Sequence, residues 1–315
     1  MTFGFVFPGQ GSQSVGMLAG LAPAEAESVV RDTLTEASAV LGYDLGELVA
    51  QGPEERLNST ECTQPAMLAA GIATWRLWRE RGGPPPQAVC GHSLGEFSAL
   101  VAAGALDFAA AIALVQFRGR AMQEAVPAGT GAMAAILGLD DGQVIEACRE
   151  AAQGGVVEAV NFNSPGQVVI AGAREPVERA IEVAKRLGAK RAMALPVSVP
   201  AHSSLMTSAG QRLAERLATV DIRAPRIRFV SAVDAASHDD PEDLRRLLGR
   251  QLSSPVRWTD TVRALAAGGI GTVVECGPGK VLTGLNRRIE RGLQSLALED
   301  AESLQAALAA VQAQS

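Results

Sequence analysis

Residues 88–96 read Ala88-Val89-Cys90-Gly91-His92-Ser93-Leu94-Gly95-Glu96. A short apolar strand-like run enters a G-x-S-x-G, and a helical stretch follows to about Gly104. A serine at this spacing between a strand and a helix is a nucleophile elbow. The turn is sharp enough that side chains two positions to either side of Ser93 would clash, which calls for Gly91 and Gly95. The following helix aims its N-terminus at the reacting oxygen. The Leu94 amide is then set to donate to an oxyanion. Glu96 reads as an acidic charge on the first helical turn, favourable beside the positive end of the helix dipole. The strand-turn-helix unit predicts an α/β fold.

Outward from the elbow, the chain opens on the strand formers Phe3-Gly4-Phe5-Val6-Phe7, ended by Pro8-Gly9. A small polar loop, Gly9-Gln10-Gly11-Ser12-Gln13, follows. Helical periodicity covers 24–41, 64–81 and 108–125, and Gly82-Gly83-Pro84-Pro85-Pro86 reads as a stiff loop feeding the strand at 88–90. Residues 127–131, Pro-Ala-Gly-Thr-Gly, form a candidate boundary. Beyond it the order is strand 132–137, helix 140–152, strand 156–161, strand 167–171, helix 175–187 and strand 192–195, with Asn163-Ser164-Pro165-Gly166 as the turn between the two middle strands of the series. That order is the split βαβ, ferredoxin-like pattern. After Pro196 and Pro200 the alternation resumes: helix 203–219, strand 227–230, helices 243–251 and 259–267, strand 272–276, and helices from Lys280 and over 301–312. The segment Ser237-His238-Asp239-Asp240-Pro241 reads as a solvated loop.

Composition narrows the function. The chain has 315 residues, enough for about two domains at roughly 150 residues each. Its net charge is −6 and its pI about 5.3, so no global field attracts nucleic acid or an anionic membrane. Aromatics are 4%, with Tyr43 the single tyrosine, too few for the stacking platforms of a single-strand binder. Four dispersed cysteines, none in a C-x-x-C, suggest neither a disulfide framework nor a zinc knuckle, and no metal is expected. Residues 1–30 hold no Lys or Arg, so a secretory leader is not expected and the localisation reading is cytoplasmic.

A serine nucleophile needs a base, and there are three histidines. His92 adjoins the serine on a turn and projects elsewhere, as a structural hydrogen bonder. His238 lies in the polar loop. His202, after Pro200-Ala201, remains as the base candidate.

Several further blocks occur in order: Phe7-Pro-Gly-Gln-Gly-Ser-Gln13, Gly91-His-Ser-Leu-Gly-Glu96, Gln116-Phe-Arg-Gly-Arg120, Asn161-Phe-Asn-Ser-Pro-Gly-Gln167, Pro196-Val-Ser-Val-Pro-Ala-His-Ser-Ser-Leu-Met206, Gln251-Leu-Ser-Ser-Pro-Val-Arg-Trp258 and Glu275-Cys-Gly-Pro-Gly-Lys280. Together, over essentially the whole chain, they resemble the malonyl-CoA:acyl carrier protein transacylases of bacterial type II fatty acid synthesis. The resemblance implies that Ser93 attacks the thioester and His202 takes its proton. It implies an oxyanion hole from the backbone amides of Gln10 and Leu94, and explains a glycine on each side of Gln10. It implies that Arg118 holds the malonyl carboxylate, for which a planar guanidinium suits better than an ammonium. It implies that a main-chain carbonyl at Gln251 holds the histidine where a triad enzyme would place an acid. Asn161 and Asn163 match a polar pair near the family's site, with ordinary turn chemistry the alternative.

Because Ser93 and His202 lie on opposite sides of the ferredoxin-like stretch, the expected organisation is a large α/β-hydrolase-like domain with a parallel-rich sheet, residues 1–126 and 198–315. The small domain, 127–197, is inserted in it, with the cleft between them. The expected partners are malonyl-CoA and acyl carrier protein, with no permanently bound cofactor and nothing that demands more than a monomer. Acyl carrier proteins are acidic, so an acidic enzyme needs a local basic patch; Lys190-Arg191 and Arg287-Arg288 are the candidates. Gly277-Pro-Gly-Lys280 resembles the end of a phosphate loop but has Val274 for its first glycine and Val281 for its Ser/Thr. Three other readings stay open: a discrete acyltransferase serving a polyketide synthase, a serine hydrolase, and an inactive carrier-protein binding module.

Overall fold

The computed structural model describes residues 2–21, 27–127, 129–197 and 199–313. The helix start expected at 24–26, Ala128 of the candidate boundary and Ser198 at the expected return to the large domain lie outside the described residues. Two sheets organise the chain, and it is an α/β protein with helices on a mixed sheet.

The first sheet is built from β1 (Thr2–Phe7) and β2 (Ala88–Gly91). The second begins with β3 (Gly131–Leu137), β4 (Val157–Ser164), β5 (Gln167–Ala173) and β6 (Arg191–Ala194). The chain then returns to the first sheet with β7 (Arg228–Val230), β8 (Ser237–His238), β9 (Ile270–Glu275) and β10 (Gln294–Ala297). The first sheet runs β10-β9-β1-β2-β7-β8 and the second β4-β5-β3-β6. Neighbours in the first sheet are parallel except β8, which turns back antiparallel on β7. Neighbours in the second are all antiparallel.

β1 and β2 sit at the centre of the first sheet, and both faces there are covered. That is why β1 reads as a continuous apolar run rather than an alternation. Phe3, Phe5 and Phe7 enter one core, and Val6 enters another with Ala88, Cys90 and Trp258. Phe5 meets Trp78 edge-on, with centroids 5.2 Å apart and rings at 84°. Burying a side chain of this size stabilises the fold by about 1.5–3 kcal/mol. The Gly-Pro loop works as read: a Cβ on Gly83 would lie 2.2 Å from Trp78 Nε1, and that nitrogen donates to the Pro84 carbonyl at 2.9 Å.

The second sheet has one face on the helices Asp141–Ala152 and Arg174–Arg186. Its other face gathers Met133, Val160, Val169 and Ala171 against Leu195, Val197 and Ala201. The second sheet is tied to the segment that follows Gln251–Ser253: Phe162 N donates to Val256 O at 2.9 Å, and Val256 N donates to Val160 O at 2.8 Å.

Some elements differ from expectation. β4 continues through Asn163 to Ser164, because register shifts along its pairing with β5 carry it further; only Pro165-Gly166 forms the tip. β8 and β10 were not legible: two residues are too short a run, and Gln294-Ser295-Leu296-Ala297 lacks strand formers. His238 is therefore no solvated loop residue. Ala235, at φ 59°, reverses the chain, and the imidazole is 17% exposed with Nε2 3.1 Å from Asp234.

Candidate active site

Ser93 is separated from the end of β2 by His92 alone and has φ 52°, in the left-handed region. The neighbouring glycines are there for space: a Cβ on Gly91 would lie 1.9 Å from the Gly95 carbonyl carbon, and one on Gly95 would lie 2.1 Å from Phe7 O. Gly9 abuts His92 O, where a Cβ would come to 2.5 Å, so the loop carrying Gln10 closes tightly on the elbow. Gly11 has φ 106°, which only glycine adopts without strain. The helix Gly95–Ala102 then leaves the elbow.

His202 arrives from the other side of the second sheet, also with a left-handed backbone, φ 69°. Ser93 Oγ lies 2.7 Å from His202 Nε2. His202 Nδ1 lies 3.0 Å from Gln251 O and 3.1 Å from Ser254 O. Both partners are carbonyls, which can only accept, so the proton belongs on Nδ1 and Nε2 is left to accept from the serine hydroxyl. Burial, with help from the Arg118 charge, pulls the His202 pKa down to about 3. The imidazole is therefore neutral, and a base, across the ordinary pH range.

This has a consequence for stability. Between about 3 and the ordinary histidine value near 6.5 the unfolded chain takes up a proton that the native site refuses. Stability contributed by His202 is thus present above about 6.5 and is lost as pH falls toward 3. Burial raises Glu275, to about 7, which acts in the opposite sense, so the wild-type curve alone is not diagnostic. The test is the Tm of His202→Gln minus that of wild type. That difference is expected to become more favourable to the variant at pH 5 than at pH 7; a pH-independent difference would contradict the shift.

Arg118 is carried by the helix Phe108–Ala125 and is 1% exposed. Its Nη2 donates to Gln251 Oε1 at 2.8 Å and to Ser93 Oγ at 3.2 Å, and its Nη1 lies 3.4 Å from Met122 Sδ. Its Nε is buried without a partner. Burial lowers its pKa to about 9 while the nearby Glu96 charge holds it up, so it is a cation at neutral pH. A buried cation with a spare donor is equipped to receive an anion beside Ser93.

Gln10, Leu94, Arg118, His202 and Asn161 line one cavity with Ser93, of about 480 Å³. Met133, Leu195 and Val197, from the second sheet and its exit, line the same cavity. A larger groove of about 900 Å³, walled by Leu34, Tyr43 and Val49, has none of these residues in it. His92 turns away from the nucleophile: its Nε2 donates to Asn163 Oδ1 at 2.8 Å, and its ring lies 5.6 Å from Trp258.

Glu96 sits on the first helical turn as read from the sequence, but it is buried there. It is 1% exposed and faces inward, accepting from the Ser231 hydroxyl at 2.8 Å, from Ala232 N at 2.6 Å and from Gln251 Nε2. Its position three residues after the serine puts it on the inner side of the first helical turn, and only the fold shows what meets it there. Ser254, the second carbonyl on His202, was likewise missed, although it lies within the Gln251–Trp258 block.

The basic pairs separate. Arg288 Nη1 donates to Gln167 Oε1 at 3.0 Å, at the same end of the second sheet where Leu137 pairs with Gln167 and Arg191. Arg287 instead donates to the Ser295 carbonyl at 3.1 Å. The Gly277–Lys280 loop has its helix amides already taken: Glu275 accepts from Leu282 N at 3.0 Å and from Thr283 N at 2.7 Å. Among the described residues no group of three or more His, Cys, Asp or Glu is placed to hold a metal, and no helix is long and apolar enough to cross a membrane.

A serine hydroxyl on a neutral imidazole, in a cavity shared with a buried guanidinium, is equipped to take up and hand on an acyl group that ends in a negative charge. A family model described as the acyl transferase domain matches residues 4–312. A malonyl CoA-acyl carrier protein transacylase of Escherichia coli is 55% identical over 306 residues, covering 97% of this chain and 98% of that protein. One from Bacillus subtilis is 44% identical, covering 96% and 95%. Among solved structures, an acyl-carrier-protein S-malonyltransferase from Burkholderia pseudomallei superposes with TM-score 0.95 at 54% identity, over 98% of this chain and 100% of that one. A malonyl-transacylase in complex with a type II PKS acyl-carrier protein superposes with TM-score 0.96 at 54% identity, with the same coverages. The chain belongs to the acyltransferases, and within them to the malonyl-CoA:acyl carrier protein transacylase family.

Proposed function

We propose that this chain moves the malonyl group from malonyl-CoA to the phosphopantetheine thiol of acyl carrier protein, in two half-reactions through a malonyl ester on Ser93. The observation that carries the reading is the meeting of three groups in one cavity: Ser93 Oγ, His202 Nε2 at 2.7 Å and Arg118 Nη2 at 3.2 Å. Ser93 attacks the thioester carbonyl and its proton passes to His202 Nε2. The carbon–sulfur bond breaks and the CoA sulfur takes that proton. In the second half the carrier thiol gives its proton to Nε2, its sulfur attacks the ester carbonyl, the ester carbon–oxygen bond breaks, and Ser93 Oγ takes the proton back from Nε2. The amides of Gln10 and Leu94 hold the oxyanion in both halves. Gln251, through its main-chain carbonyl, keeps His202 in the productive tautomer. His92 and Asn163 brace the elbow, and Asn161 lines the cavity opposite.

The Arg118 charge depresses the basicity of His202. A malonyl carboxylate on Arg118 cancels that charge and returns part of the basicity, so the matching substrate improves the base that acts on it.

The fold reading goes with this one. A large α/β-hydrolase-like unit, 1–126 with 198–315, carries the elbow and the base. An inserted ferredoxin-like unit, 127–197, roofs the cavity, a reading supported by the order β4-β5-β3-β6 and the helices on one face. The reaction needs no cofactor beyond its substrates and suits the cytoplasm, and one copy of the chain holds every group named. Fatty acid synthesis is the pathway that fits first. Likeness to a transacylase seen with a polyketide carrier favours that supply as the second reading.

The test is transfer from malonyl-CoA to a panel of carrier proteins, with free malonate measured in parallel. Malonyl-carrier formation well ahead of malonate release is expected; malonate as the main product would make the chain a hydrolase. For docking, Lys190, Arg191 and Arg288 gather at one end of the second sheet and form the proposed patch, with Arg287 contributing less because its guanidinium is tied to Ser295 O. Reversing the first three charges is expected to raise KM for the carrier several-fold with acylation by malonyl-CoA unchanged. An unchanged KM would reject the patch.

A further inference from the structure

We infer that Glu96 is a positioning residue that sets the acyl selectivity of the site through the side chain of Gln251. The inference rests on the malonyl-transfer reading. Gln251 is 1% exposed and uses its two ends differently. Its main-chain carbonyl accepts from His202. Its side-chain Nε2 donates to Ser93 O at 3.0 Å and to Glu96, while its Oε1 accepts from Arg118 at 2.8 Å. The amide is thus a bridge from a buried carboxylate to a buried guanidinium. Among the described residues no carboxylate pairs with Arg118 directly. Glu96 reaches it through the bridge, and its charge supports the cation.

Which way round the amide sits is decided by Glu96. As a carboxylate it can only accept, so it draws Nε2 toward itself and leaves Oε1 for Arg118. Ser231 and Ala232 hold the other carboxylate oxygen, Oε1 of Glu96, with two donors. A glutamine at position 96 must keep its own Oε1 on those two donors, which turns its NH2 toward Gln251. Gln251 then faces a donor with a donor unless it flips. After the flip its oxygen opposes Ser93 O and its NH2 opposes the Arg118 guanidinium. Either way Arg118 loses its acceptor or is pushed from its place beside Ser93. His202 is untouched, because its partners are main-chain carbonyls that do not turn with the amide. The effect should therefore separate: recognition of an acyl carboxylate fails while the nucleophile and base stay competent.

The experiment compares wild type, Glu96→Gln, Gln251→Leu and the double variant. Three rates are read: acylation by malonyl-CoA, acylation by acetyl-CoA, and labelling of Ser93 by a neutral fluorophosphonate. For Glu96→Gln the malonyl-over-acetyl ratio is expected to fall about tenfold or more, with fluorophosphonate labelling within about twofold of wild type. Gln251→Leu, which removes the bridge, is expected to lower the same malonyl-over-acetyl ratio, and it keeps the test alive if Glu96→Gln fails to fold. Adding Glu96→Gln to Gln251→Leu is expected to change the ratio no further. Equal loss in all three rates, an unchanged ratio, or ratio effects that multiply in the double variant would overturn the inference. A wild type that shows no preference for malonyl over acetyl would instead overturn the malonyl reading.

Discussion

Ser93→Ala is expected to abolish acylation. Incubated with labelled malonyl-CoA and denatured, the wild-type chain should retain label on Ser93 and the variant none. Transfer to carrier protein should fall by about 10⁶-fold, the scale of loss when a nucleophilic serine is removed. The fold should survive. Alanine keeps the Cβ already accommodated at φ 52°, and only the bonds from Oγ to His202 and Arg118 disappear. The left-handed backbone is set by the packing of Gly91 and Gly95, which the variant leaves alone. Label retained by the variant would place the nucleophile elsewhere and sink the mechanism.

Arg118→Ala is expected to be damaging for one substrate and harmless for another. Removing the partner of a buried carboxylate usually costs about 2–5 kcal/mol. The kcat/KM for malonyl-CoA should therefore fall by about 10²-fold or more, while acetyl-CoA should acylate Ser93 at the wild-type rate or faster. Release of His202 from the guanidinium charge, which adds to burial in depressing its basicity, favours the acetyl rate. Arg118→Lys should not restore malonyl transfer, because an ammonium cannot match the planar two-oxygen face of a carboxylate. Equal loss with both substrates would make Arg118 a structural residue.

What was legible in the sequence follows from how local each determinant is. The elbow could be read because its geometry needs glycines at fixed offsets, and those glycines stand where a Cβ would lie about 2 Å from backbone atoms. β1 could be read because a strand buried on both faces has little but apolar residues. β8 and β10 could not, since an edge strand of two residues and a mixed run of four leave no period to detect. His202 was reached by eliminating two other histidines, although the loop reading used to dismiss His238 was itself wrong. The inward turn of Glu96 was out of reach. A glutamate on a first helical turn is ordinarily a surface charge, and only the approach of Ser231 and Gln251, more than a hundred residues away, makes it a buried acceptor.

The carbonyls of Gln251 and Ser254 on His202 have a consequence for the lifetime of the acyl-enzyme. A carbonyl dipole stabilises an imidazolium less than a carboxylate would, so the imidazole is a restrained proton acceptor. A thiol, with a pKa near 8.5, needs little persuasion to give up its proton; water, at 15.7, needs a great deal. Weakening the base therefore slows attack by water more than attack by a carrier's thiol. On the proposed mechanism the ester on Ser93 is left to wait for the second substrate, and partitioning between transfer and wasteful decay is biased by two neutral oxygens where a hydrolase would place an acid.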